Sequence, residues 1–163
     1  MLEKLSMTAE PGTTRIVMTR LFDAPPGMVF EAWTKAEHVA HWWDPSGAPL
    51  AVCEIDLRPG GVFRWINQGD KGMEYPFTGT YREITPPGGL VFAVRTFPSG
   101  PESIVTLSFI EHGDGTRFDM TIECQSIQDL NALLAMRVDV GTARTLENLA
   151  AFLHKIGQKD DSK

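Results

Sequence analysis

Cysteine is scarce in this chain: among 163 residues only Cys53 and Cys124 carry thiols. Two cysteines so far apart make neither a disulfide framework nor a CxxC redox or metal motif, and both are expected as reduced thiols in or beside the core. Long hydrophobic runs are also missing. No apolar stretch approaches the length needed to cross a bilayer, and the opening MLEKLSMTAEPGTT lacks an apolar core followed by a small-residue cleavage site. A cytoplasmic protein without membrane insertion is the expectation. Positive charge is in deficit too, with 15 Lys and Arg against 21 Asp and Glu, a formal net charge of −6. The arginines are scattered, so phosphate neutralisation has no footprint and nucleic acid is not an expected partner. HExxH and compact Cys/His clusters are absent, and Gly60-Gly61 and Gly88-Gly89, each following a proline, read as turns rather than phosphate loops. Neither a metal nor a cofactor is expected.

What is present is globular. Hydrophobic residues make up 42% and charged residues 22%, enough for one core in a chain of single-domain length. One domain over 14–156 is expected, with 1–13 and 157–163 as flexible termini. The first strand falls at 15–22. Asp23–Pro26 ends it and opens a short helix that gathers Val29, Phe30 and Trp33, because proline is cheap in a first helical turn. Thr34-Lys35-Ala36-Glu37 has capping-box spacing and predicts a second short helix ending near Trp43.

Strands follow at about 50–57, 61–66, 77–84 and 90–95, joined by Pro/Gly turns too short for parallel crossovers. In 103–111 and 116–124 the alternation is strict. Val105, Leu107 and Phe109, then Phe118, Met120, Ile122 and Cys124, share one face, and a polar set takes the other. Asp114-Gly115 marks the hairpin between them. The last element reads as one long helix capped by Ser126 with Asp129 and ended by Gly157. Leu130, Leu134, Val138, Leu149, Phe152, Leu153 and Ile156 form its apolar stripe.

A curved sheet covered by such a helix leaves a cavity where the two diverge. Trp33, Trp43, Trp65, Phe92, Phe109, Met120 and Met136 are the candidate lining, being large apolar or adaptable side chains that also serve as ordinary core. Trp42 and Trp43 either cover the sheet or roof the pocket. Glu54 and Asp56 fall on one side of their strand, the parity that lets two carboxylates share acid and base work, and also the parity of a solvated sheet surface. Arg64, Tyr75, Tyr81, Arg82 and Arg95 complete the polar candidates. His38 and His41, spaced i,i+3, read as surface groups rather than a metal pair. Cys53, Cys124 and Ser126 have no sequence-local base that would make any of them a nucleophile.

The segments FDAPPGMVFEAW, KAEHVAHWW, DLRPGGVFRW, FTGTYREITPPGGLVF and VTLSFIEHGDGTRFDM, in this order, resemble the family related to the C-terminal domain of the activator of the ninety-kilodalton heat-shock chaperone ATPase. That family lies within the START-like, polyketide-cyclase-like (SRPBCC) superfamily, and the resemblance spans about 14–153. It implies an α+β helix-grip fold: a curved antiparallel sheet around a long C-terminal helix, with two short helices near the N-terminus. It also implies a helix–sheet cavity. The family's common Gly-Trp signal is represented by Gly141-Thr142, so only the glycine matches. The leading expectation is binding of a hydrophobic or aromatic small molecule. The alternatives are a chaperone-interaction module, a polyketide cyclase or dehydratase that uses pocket-facing polar groups, and a homodimer.

Overall fold

Period-two alternation in the middle of the chain demands a sheet with one covered face, and the C-terminal apolar stripe supplies the cover. The computed structural model describes residues 5–9, 12–44, 46–68, 74–95 and 102–161. Its strands are β1 (Ser6–Ala9), β2 (Arg15–Phe22), β3 (Val52–Ile55), β4 (Val62–Gln68), β5 (Glu74–Thr85), β6 (Gly89–Arg95), β7 (Glu102–His112) and β8 (Gly115–Glu123). Its helices are α1 (Pro26–Thr34), α2 (Ala36–Trp42), α3 (Ile127–Ala135) and α4 (Val138–Asp161). The strands form one antiparallel sheet in the order β1-β2-β8-β7-β6-β5-β4-β3. This is the expected helix-grip architecture.

Register explains the covered face. Val105 opposes Ile122, Leu107 opposes Met120 and Phe109 opposes Phe118, and all six side chains are buried. The β7–β8 hairpin turns at Gly113-Asp114, where Gly113 takes φ 59°, a left-handed conformation that glycine adopts without steric cost. On β5 a bulge between Tyr81 and Glu83 leaves Arg82 as the extra residue and bends the strand. Next to it, a Cβ on Gly79 would sit 2.4 Å from the Phe63 ring and 2.5 Å from the Ala93 carbonyl. The bare glycine leaves room for the Phe63 ring.

Four local expectations change. Thr34 does not open a capping box: it is buried at the end of α1, its hydroxyl donates to the Phe30 carbonyl at 2.9 Å, and Lys35 is the uncapped N-cap of α2. Burial turns that hydroxyl back onto its own helix. Ser126, by contrast, accepts from the Asp129 amide at 3.1 Å as expected. The single long helix is broken. Met136 and Arg137 end α3, and the Arg137 carbonyl accepts from Val140 (3.0 Å) and Gly141 (3.3 Å) to start α4. Arg137 sits at φ 56°, which reverses the chain as a left-handed helix-end residue does. Finally, α4 continues past Gly157 to Asp161, since an internal glycine weakens a helix by about 1 kcal/mol without forcing its end. A further strand, β1, pairs Ser6 with Thr19 in the segment read as loose.

The core lies between the concave face and the helices. Leu146, Leu149 and Leu153 of α4, Leu130 and Leu133 of α3, and Val29, Phe30 and Trp33 of α1 are buried against it. Arg20 is only 4% exposed; its guanidinium donates to the Leu146 carbonyl at 2.6 Å and lies 4.8 Å from the Phe22 ring centre. That charged hydrogen bond fastens β2 to the middle of α4.

Candidate functional site

Where α4 leaves the sheet and α3 turns back over it, a cavity of about 320 Å³ remains. This is at the lower end of the roughly 300–1,000 Å³ spanned by small-molecule pockets. Its floor is the concave sheet: Phe77 of β5, Phe92 and Val94 of β6, Ser103 and Val105 of β7, and Met120 and Ile122 of β8. Leu133 and Met136 of the α3 end, and Val138, Gly141, Thr142, Thr145 and Leu146 of α4, form the roof. Trp33 and Trp43 close the end nearest the short helices, and Arg137 stands at the helix break. The wall is therefore apolar, with hydroxyls and one guanidinium.

Each wall group is held by packing. The Trp33 ring stacks on Phe118 at 5.6 Å and meets Trp42 edge-on at 4.8 Å. Trp42, wholly buried, donates its indole N–H to the Ala32 carbonyl at 3.0 Å and serves as the support behind Trp33. Trp43 is half-buried and packs against Trp65 at 4.7 Å and Phe77 at 4.8 Å. From α4, Thr145 donates to the Trp43 carbonyl at 3.2 Å and Asn148 to the Asp44 carbonyl at 2.8 Å, so the α2 end is pinned to the roof. Arg137 reaches Asp139 through two contacts of 3.2 Å. Its guanidinium is thereby held more firmly protonated, and the Asp139 carboxyl is lowered from its usual range by the same hydrogen bonds.

Of the sequence candidates, Trp33, Trp43, Phe92, Met120 and Met136 stand on the cavity wall. Trp65 and Phe109 do not. Both are buried one layer behind, Trp65 against Phe63 and Trp43, Phe109 against Phe30 and Phe118. The polar candidates lie elsewhere. Glu54 pairs with Arg64 at 3.5 Å and Asp56 with Arg58 at 2.8 Å, all on the exposed surface near β3 and β4. Arg82 and Arg95 are exposed, and the side chain of Tyr75 is outside the described residues. Tyr81 is buried under Phe63 and Phe92, and burial pushes its phenol far above the usual tyrosine range. Shared strand parity told which side chains keep company, but not which face the helix covers.

Several wall residues were not among the candidates. Val105 and Ile122 were readable from the alternation of β7 and β8. Phe77 sits where β5 passes beside Trp43. Leu133 of α3 is buried, and its neighbour Leu134 is half-buried against the core. His38 and His41 flank Phe152 on α2, at 5.1 and 6.2 Å between ring centres, and no metal-binding cluster occurs among the described residues. Cys53 is half-buried and Cys124 buried; burial pushes the Cys53 thiol up to about 11 and raises Cys124 as well.

Residues 23–154 match the family described as "Activator of Hsp90 ATPase homolog 1-like protein". The chain belongs to that family. Membership carries the SRPBCC fold class, in keeping with the helix-grip architecture. Among solved structures, a Rhodobacter sphaeroides protein is similar over 93% of this chain and 99% of its own, at 23% identity and TM-score 0.84. A Staphylococcus epidermidis protein covers 91% of this chain and 94% of its own at 26% identity and TM-score 0.79. CalU16 from Micromonospora echinospora covers 96% and 88%, at 25% identity and TM-score 0.64. No functionally curated protein matches the sequence. These likenesses support the fold and leave the activity to be argued from the site.

Proposed function

We propose that this protein binds a hydrophobic or aromatic small molecule between α4 and the concave face of the sheet. The observation that carries this reading is the wall itself: aromatic and aliphatic side chains surround a cavity of about 320 Å³, and Arg137 is its one ionisable group among the described residues. Apolar surface left facing such a space is stabilised when a ligand removes it from water, by about 25 cal/mol per Å². Trp33 and Trp43 offer rigid faces and Met120 and Met136 adapt to shape.

Native mass spectrometry of gently purified protein, followed by denaturing mass spectrometry of the released material, tests the reading. A reproducible bound species of low molecular mass is the expected result. A core that admits no member of a broad hydrophobic library would overturn it. A cyclase or dehydratase reading has less support, because no carboxylate, histidine or lysine is on the described wall to move a proton. A chaperone contact would use the outer surface, where the described exposed apolar residues Leu57, Val62, Ile110, Ile127 and Val140 belong to separate elements.

A further inference from the structure

Three hydroxyl-bearing residues line the cavity, and two have their hydroxyls engaged. Thr145 donates to the Trp43 carbonyl at 3.2 Å, and Ser103 bonds the Cys124 thiol. Thr142 has no hydrogen-bond partner among the described residues. A helical threonine ordinarily returns its hydroxyl to the carbonyl four residues back, as Thr34 does to Phe30. For Thr142 that carbonyl belongs to Val138, and no such bond forms. Thr142 is half-buried; the indole N–H of Trp33, on the same wall and 2% exposed, is buried without a partner. Buried polar groups in folded proteins are paired in the great majority of cases, so the unpaired Trp33 indole N–H, on one wall with a Thr142 hydroxyl that has no protein partner among the described residues, points to a partner that enters the cavity.

Charge narrows the class of that partner. Arg137, the ionisable group of the wall, is occupied two-pronged by Asp139 at the mouth. An anion or cation drawn inside would leave water without an opposite charge to meet, a cost that a neutral molecule avoids. We infer that the cavity selects an uncharged, largely apolar ligand bearing a hydroxyl or carbonyl, and that the Thr142 hydroxyl is the specificity-determining contact. This inference rests on the cavity being a ligand site.

The test uses naphthalene, 2-naphthol, 2-naphthoate and (2-naphthyl)methylammonium as probes, titrated into the full chain at neutral pH and into its Thr142→Val and Thr142→Ser variants. Valine keeps the branched shape and removes the hydroxyl; serine keeps the hydroxyl. The ratio of 2-naphthol to naphthalene affinity is expected to fall about fivefold in Thr142→Val, the worth of one net hydrogen bond, and to recover in Thr142→Ser. Both charged probes are expected to bind at least about tenfold more weakly than 2-naphthol, the effect of one buried unpaired charge. A ratio indifferent to residue 142, with naphthalene still bound, would overturn the assignment alone; so would tightest binding by a charged probe. Failure of all four probes to bind the wild-type chain would overturn the cavity reading with it.

Discussion

Val105 and Val29 are both buried valines, and only one of them borders empty space. Val29, fully buried on α1, is enclosed by core side chains; Val105, 5% exposed on β7, faces the cavity of about 320 Å³. Replacing either by phenylalanine adds the same ring. At Val29 the interior is already packed at crystal-like density, so overpacking is expected to cost about 1–3 kcal/mol. At Val105 the ring enters the cavity. Its added carbons gain about 0.8 kcal/mol each if fully buried, a sum reduced by rotamer ordering and imperfect fit. Val105→Phe is therefore expected to be neutral or about 1 kcal/mol more stable, about 1–4 kcal/mol apart from Val29→Phe. With a urea slope of about 1–3 kcal/mol/M, that gap separates the unfolding midpoints by at least about 0.3 M. Naphthalene binding should weaken more than about tenfold in Val105→Phe and survive in Val29→Phe. Equal destabilisation of both variants with unchanged binding would refute the claim that Val105 faces fillable space.

Three further outcomes follow from the geometry. Arg137→Gly, which suits φ 56°, should be more stable to urea than Arg137→Val by more than about 1 kcal/mol, because a β-branched side chain is strained there; equal stabilities would contradict the left-handed break between α3 and α4. Glu123 is held below the usual glutamate range, first by the Thr14 hydroxyl at 2.6 Å and then by Arg15. A depressed carboxyl contributes stability above its unfolded pKa and loses it as pH falls through its folded value. The small stability gap between wild type and Thr14→Ala should thus be present at pH 7 and shrink in acid; a gap constant from pH 7 to pH 2 would rule the linkage out. Cys53, pushed up to about 11, should react with iodoacetamide at pH 8 about a hundredfold more slowly in the native chain than in urea, since the thiolate is the reacting form. Native labelling at the unfolded rate would show that its burial is not maintained.

Much of the fold was legible because it rests on local rules. Alternation in β7 and β8 named the covered face residue by residue, and Ser126 with Asp129 marked the start of α3. The break at Arg137 was not legible. The stretch ALLAMRVDV contains neither glycine nor proline, and an arginine at φ 56° runs against its intrinsic propensity. Of the aromatic wall, Trp33, Trp43 and Phe92 were among the sequence candidates, whereas Phe77 was not and Trp65 and Phe109 lie one layer behind. The polar half of the site was not legible. Glu54, Asp56 and Arg64 share a surface because strand parity is silent about which face a helix covers, whereas Thr142 and Arg137 reach the wall only through the broken helix.

The central claim concerns a place, so its most direct test is methyl NMR of the full chain titrated with naphthalene. Saturable shifts confined to methyls of the cavity wall, among them Val94, Val105, Met120, Ile122, Leu133 and Leu146, at one ligand per chain, are the predicted result. Absence of saturation, or shifts centred on the exposed Val62 and Ile110 instead, would contradict binding between helix and sheet.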